Sequence, residues 1–295
     1  MSDAPAVPLR PTDMSRPAPL RRPPLGTRLR QAVLPVYTAL AVMYLFLPIA
    51  VMIVFSFNDP RGRQNITWQG FTVDNYFSVW GRPDITGPMI ASIVVALTAT
   101  VAATALGTLI GLALTRYRFR GRGPLNLLIC VPMATPEIIL GASLLSLWVT
   151  LGVQRDLVTI IVAHVMFNIS FVVVTVRARI AGFNRSLEEA AMDLGANEWS
   201  TFRRVTFPLI FPGILAAALL ALALSIDDYV ITSFVAGRTT TFPLWVFGAS
   251  RFGVPPEVNV LGTLIFAVAL VLIVLQIVLA RRRQNIERAL AAKIE

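Results

Sequence analysis

The sequence predicts an all-α membrane protein with six transmembrane helices and both termini in the cytoplasm. Three observations carry this. Of the 295 residues, 56% are hydrophobic and only 14% charged, with a mean hydropathy of +0.70, a balance that soluble domains do not show. Six apolar runs are separated by short polar intervals. The basic residues are also unevenly placed: if the runs are spans, twenty of the 26 fall on one side and six on the other. The richer side is cytoplasmic by the positive-inside bias, and it receives both ends of the chain. The net charge of +10 therefore reflects topology rather than nucleic-acid binding.

Residues 1–32, rich in Pro, Arg and Ala, are expected to form a disordered cytoplasmic tail. The apolar run that follows is too long for a signal peptide and lacks a small-residue cleavage site. The spans are expected at about 33–57, 89–115, 125–151, 157–176, 213–236 and 258–280, together a six-helix transmembrane domain over 33–280. Residues 281–295 form a basic cytoplasmic tail. Pro35 and Pro48 lie in the first span, and Pro132 and Pro136 interrupt the third. Gly107 and Gly111 give the second span a G-x-x-x-G pair suited to close helix packing. The outer segment 58–88 holds Trp68, Phe71, Tyr76, Phe77 and Trp80, which fits either an interfacial segment or a loop folded over its own helices.

The polar interval 177–208 between the fourth and fifth spans is the most informative stretch. Ser186 and Glu189 fit an S-x-x-E capping box. Leu187, Ala190, Ala191 and Leu194 fall at i, i+3, i+4 and i+7, one apolar stripe on a short helix. Gly195 is placed for a left-handed C′ position. Asn197 can cap a second helical piece, which Pro208 is expected to end. A short amphipathic helix pair between two spans needs a partner surface, either a protein groove or the bilayer face.

Ionisable residues inside spans are costly and need a reason. Glu137 follows Pro136 about midway along the third span, and Asp227 and Asp228 precede Tyr229 in the outer half of the fifth. Successive helical residues point about 100° apart, so the two aspartates cannot face one groove equally. Carboxylates without basic residues in the spans fit a conduit for a cation, or else pairing with a helix end or a partner for packing alone. His164 and Asn168, an i, i+4 pair on the fourth span, are expected to make interhelical hydrogen bonds. The chain has one histidine and one cysteine, Cys130, so neither a disulfide nor a His/Cys metal cluster can form within it. Its one lysine, Lys293, lies at the end, which excludes a Walker A phosphate loop.

Glu189-Ala190-Ala191, three residues, Gly195, nine residues, then Val205-x-Phe207-Pro208 resembles the EAA motif of ABC importer permeases, with Val205 and Phe207 where Ile and Leu are usual. FNISFVVVTVRARIAGFNRSLEEAAMDLGA, LALSIDDYVITSFVAG and FGVPPEVNVLGTLIFA resemble the permeases of spermidine/putrescine importers, from the first span onward. The resemblance implies the type I ABC importer permease fold in a bacterial inner membrane. It makes the 177–208 loop a coupling helix docking on an ATPase subunit through Leu187, Glu189, Ala190, Ala191, Leu194 and Gly195. It places Glu137, Asp227, Asp228 and Tyr229 along the substrate path. The implied partners are a second permease, two ATPase subunits and an external substrate-binding protein. No cofactor is implied in this chain, and ATP-Mg belongs to the ATPases. Related permeases for opines, amino acids or iron share the layout. A proton-coupled secondary transporter using the same carboxylates is the rival from another class; a membrane enzyme finds no nucleophile motif to support it.

Overall fold

The computed structural model describes residues 25–62 and 64–291. It is helical nearly throughout. The elements are α1 (Leu25–Ser56), α2 (Asp74–Ser78), α3 (Pro83–Arg116), α4 (Arg122–Ala134), α5 (Glu137–Thr150), α6 (Leu157–Ala181), α7 (Ser186–Asp193), α8 (Glu198–Thr201), α9 (Phe207–Asp227), α10 (Val230–Val235), α11 (Phe242–Ser250) and α12 (Pro256–Ala291). Among the described residues, five helices are long and apolar enough to cross a membrane, or six if α4 and α5 count as one bent span.

The chain divides into two units, residues 1–51 and 52–295. The first carries most of α1, whose residues from 33 to 51 include none that is buried. The expected tail over 1–32 lies outside the described residues up to position 24. From Leu25 onward the backbone is already helical, since Arg28, Arg30 and Gln31 are good helix formers.

In the second unit α3, α6 and α9 form the core. Ala103 of α3, Val172 and Val176 of α6, and Ile210, Ala217 and Ala221 of α9 are buried together. A Cβ added at Gly107 would come within 2.6 Å of Val172 and 3.3 Å of the Ile169 carbonyl, while one at Gly111 would meet Val176 at 3.5 Å. Four residues along α3 thus match four residues along α6, so these helices run parallel, and the G-x-x-x-G pair is their contact line. Gly107→Ala is expected to destabilise the fold by about 1–3 kcal/mol by overpacking. Gly111→Ala, in ordinary contact, should leave it unchanged or slightly stabilised. Thermal unfolding in detergent checks this, and equal shifts for the two variants would contradict it.

Two of the expected spans are broken, the third at one of the two prolines that interrupt it and the fifth where the sequence marks no break. The third is α4 and α5, bent by 109° at Thr135 and Pro136. Proline drives the residue before it out of the helical region, and Thr135 is extended at φ −84°, ψ 130°. The fifth span ends at Asp227 and resumes as α10, with Asp228 extended at ψ 117°. It also starts earlier than expected. Pro208 does not end a helix but lies in the first turn of α9, where its missing N–H costs least. The five residues Phe202–Thr206 before it form a π turn that carries α8 into α9. The second span begins at Pro83, six residues before the expected start, and α12 continues to Ala291 through most of the expected terminal tail.

At the start of α6, Asp156 and Thr159 form a reciprocal capping box, and the Thr159 hydroxyl also donates to Val235 O at 2.8 Å, tying α6 to α10. The 58–88 segment folds around Asn58, whose amide donates to Asn65 and to Thr67 O and whose Oδ1 accepts from Gln69 N at 2.7 Å. Phe57 stacks on Phe71 and Tyr76, yet Trp68, Phe77 and Trp80 remain exposed, so the segment combines a folded loop with an apolar outer surface.

Candidate functional site

The 177–208 interval forms α7 and α8 as a helix–turn–helix, but its capping differs from the expected scheme. Ser186 is the first residue inside α7 and its side chain caps nothing. Asn184 does so instead, its Oδ1 accepting from Ser186 N at 3.1 Å, because a side chain two residues back reaches the first free amide. The other end is as expected. Gly195 has φ +88°, Ala196 N donates to Ala191 O and Gly195 N to Met192 O, which is the Schellman arrangement. Asn197 accepts from Ser200 N at 2.8 Å and caps α8.

The polarity of α7 is inverted relative to a helix packed on a core. Leu187, Ala190 and Leu194 are exposed, Leu194 at 90%, with Met192 and Trp199 exposed beside them; Ala191 is half-buried. The buried residue of α7 is Glu188, at 8% exposure. Arg116, the last residue of α3, pairs with its carboxylate, and the Thr206 hydroxyl at the end of the π turn donates to the same oxygen. Arg116 also donates to Thr206 at 3.2 Å. A buried carboxylate needs such partners to remain charged. The clamp fixes the polar side of α7 inward and leaves its apolar stripe facing out. Glu189, the first residue of the motif, is exposed, with Arg185 at 3.9 Å from its carboxylate.

The two breaks in α4–α5 and α9–α10 meet around a second feature. Glu137, Asp227, Asp228 and Tyr229 line one recess of about 280 Å³, with Phe167 and Leu224 as apolar wall. All four residues selected from sequence come together here. They do not have one role. Glu137 opens α5 and is exposed, and Asp227 closes α9 and is exposed. Asp228 is 6% exposed at its side chain. Its Oδ2 accepts from Thr232 N at 2.8 Å and the Thr232 hydroxyl at 2.7 Å, and its Oδ1 from Ile231 N at 3.3 Å. It therefore caps α10.

His164 completes this network, with Nε2 3.2 Å from Asp228 Oδ2 and 2.9 Å from Thr232 Oγ1, and Nδ1 2.6 Å from Ser225 Oγ. The Thr232 hydroxyl donates to Asp228, so Nε2 donates to the Thr232 oxygen and lies in contact with the carboxylate. The expected interhelical bonding of His164 is present, joining α6 to α9 and α10. That of Asn168 is not: it is fully buried, and among the described residues neither amide atom has a hydrogen-bond partner. Among the described residues, no three carboxylate, imidazole or thiol side chains converge as a metal-ion site requires.

Sequence reasoning did not find the partners Arg116, Thr206, Ser225 and Thr232, nor the aromatic pair Tyr229–Phe247, whose ring centroids are 4.5 Å apart. No local pattern marks them, since Glu188 pairs across 72 residues of chain.

Residues 103–291 match the family described as binding-protein-dependent transport system inner membrane component, a match that includes α7, α8 and every residue lining the recess. The chain belongs to that family. It is 38% identical over 239 residues to the spermidine/putrescine transport system permease protein PotC of Escherichia coli (strain K12), covering 81% of this chain and 90% of that protein. It is 37% identical over 263 residues to the putrescine transport system permease protein PotI of the same organism, covering 85% and 93%. Among solved structures, a bacterial ABC transporter that imports alginate superposes with a TM-score of 0.62 at 19% identity, covering 87% of this chain and 97% of that one. An amino acid ABC transporter superposes with a TM-score of 0.56 at 19% identity, covering 72% and 100%. The fold is thus that of ABC importer permeases. As an inner-membrane transport component, the chain carries a path rather than a catalytic centre, and the recess and the inverted helix are the two parts to be explained.

Proposed function

We propose that this chain is a membrane-spanning subunit of an ABC importer that moves polyamines such as spermidine and putrescine inward across a bacterial inner membrane. The observation that carries the mechanism is the inversion of α7: an apolar stripe held outward by a buried ion pair on the other side. A short helix so presented fits a groove in a partner, with Ala190 and Ala191 allowing close approach. In this reading the partner is an ABC ATPase. Hydrolysis of ATP-Mg there pushes α7 through Leu187, Glu189, Ala190, Ala191, Leu194 and Gly195. Because Glu188 ties α7 to the end of α3 and to the start of α9, the push reaches two of the three core helices directly.

Both recess walls hinge at helix breaks, so Glu137 and Asp227 change their surroundings when the bundle rearranges. A path that binds its solute differently in two states transports it, whereas one that binds equally in both does not. Exposed carboxylates beside Tyr229 offer an alkylammonium group transient counter-charges, while Asp228 holds the break in shape. Six spans with both termini cytoplasmic, a second permease, two ATPase subunits and an external substrate-binding protein complete the assembly. The similarity to PotC and PotI supports the choice of polyamine over other solutes.

The test is radiolabelled spermidine and putrescine uptake in cells with and without this chain, its partners at matched expression. Saturable uptake is expected to disappear without it and to return with the wild-type chain. Unchanged uptake would overturn the polyamine assignment. Replacing Leu187 and Leu194 together by Asp should abolish uptake while ATP hydrolysis by the assembled complex no longer responds to loaded binding protein; coupled uptake in that variant would overturn the docking role of α7.

A further inference from the structure

A second recess, of about 310 Å³, lies where the end of α3, the start of α4 and the end of α6 meet. Thr115, Arg122 and Arg177 supply its polar lining, and Val174, Ala178 and Ala181 its apolar lining. It is in the same unit as the acidic recess but shares no residue with it.

Three features of this recess are unexplained by transport. Among the described residues, no acidic side chain lines it. Arg177 is held by one hydrogen bond, its Nη1 donating to Asn126 Oδ1 at 2.7 Å, and this contact orients the guanidinium without neutralising it. Arg122 is half-buried, yet among the described residues its guanidinium has neither a hydrogen-bond nor an ion-pair partner. A left-handed Gly121, at φ +96°, turns the chain so that Arg122 opens α4 beside α6. Two guanidiniums sharing one recess repel each other, and partial burial raises that cost unless an anion sits between them. Arg118 and Arg120 close by are exposed, so clustering of arginines alone does not produce the half-buried arrangement.

The apolar side of the recess determines the kind of anion. Val174, Ala178 and Ala181 lie on one side of the last turns of α6, a helix that crosses the membrane. A recess at the end of such a helix is at headgroup depth, with arginines toward water and small apolar residues toward the acyl region. Guanidinium groups pair well with phosphate oxygens, and the Thr115 hydroxyl, which already donates to Gly111 O at 2.8 Å, leaves the donor role in this recess to the two arginines. We infer that this recess binds the phosphate of an anionic phospholipid such as phosphatidylglycerol, through Arg122 and Arg177, with the lipid backbone against Val174, Ala178 and Ala181. Thr115 is followed by Arg116, the residue that clamps Glu188. A lipid bound here therefore sits one residue from the anchor of α7, and links inner-leaflet charge to the rigidity of that helix.

This inference does not depend on which solute is carried. The assembled transporter, in nanodiscs of phosphatidylcholine doped with phosphatidylglycerol, is delipidated stepwise, and the phosphatidylglycerol retained per complex is measured by mass spectrometry. Arg122→Gln and Arg177→Gln are each expected to lower retention about fivefold, the effect of one arginine at a membrane surface. Arg118→Gln and Arg120→Gln should change it much less. Ala178→Phe, which fills the recess without altering charge, should lower it as well, and this variant guards against misfolding of the arginine variants. Phosphatidylcholine retention should be the same in all. Equal losses from Arg118→Gln and Arg122→Gln would mean diffuse surface attraction and overturn the site. Full retention in Ala178→Phe would overturn it too. Displacement of the lipid by inorganic phosphate would show that the recess takes the soluble anion instead.

Discussion

Replacing Glu188 by alanine is expected to release α7 from the bundle. The substitution leaves Arg116 without its counter-charge and Thr206 without its acceptor at a site where Glu188 is 8% exposed. Breaking a buried pair from one side costs about 3 kcal/mol, enough to change the docked population of α7 by roughly a hundredfold. Hydrogen exchange over residues 186–194 should rise sharply, while the α3–α6 contact at Gly107 keeps its protection. Uptake should fall with it, because a helix that is not anchored to α3 transmits no push. Glu188→Gln keeps an acceptor for Thr206 and should be milder. A Glu188→Leu, Arg116→Leu double variant removes both charges and should recover much of the protection, since a matched apolar pair often replaces an ion pair without loss. Unchanged exchange in Glu188→Ala would show that the clamp does not hold the helix.

The second large effect separates two neighbouring aspartates. Asp228→Ala removes the acceptor for Ile231 N, Thr232 N and the Thr232 hydroxyl, and the contact with His164, at once. Loss of the cap and of a buried network is worth about 2–4 kcal/mol together. The variant should unfold at markedly lower temperature and accumulate poorly. Asp227→Asn, on an exposed side chain with no partner to lose among the described residues, should unfold like the wild type. Its defect should be in uptake, roughly fivefold at low substrate, the value of one carboxylate–ammonium contact of about 1 kcal/mol in a wet recess. Measuring unfolding and uptake on both variants decides the matter. If Asp227→Asn lost stability and Asp228→Ala did not, the roles would be reversed.

Much of the site was legible because it follows from local rules. Gly195 was found because only one residue type tolerates a left-handed C′ position, and Asn197 because its side chain reaches the free amides of the next turn. Glu137, Asp227 and Asp228 stood out because carboxylates in apolar runs are expensive, Tyr229 was added by the family resemblance alone, and one recess holds all four. Ser186 misled, since Asn184 lies equally close to the same amides and sequence spacing does not rank two caps. Pro208 misled for a related reason: proline stops a helix that precedes it but starts one that follows, and a π turn let both helices join.

The sequence by itself determined a helical membrane protein, the placement of its polar interval and the set of acidic residues in its spans. Those properties depend on composition and on spacing within a turn or two. Only the tertiary structure decided that Glu188 faces inward while the apolar stripe of α7 faces out, that Asp228 serves a helix cap while Asp227 opens on the recess, and that Arg122 and Arg177 share a recess with no acid in it. Each of these depends on a partner 51 to 72 residues away or on a bend that rotates one residue past its neighbour. Periodicity measures angles along a single helix; which side of that helix meets another is set by packing between helices that are distant in the chain.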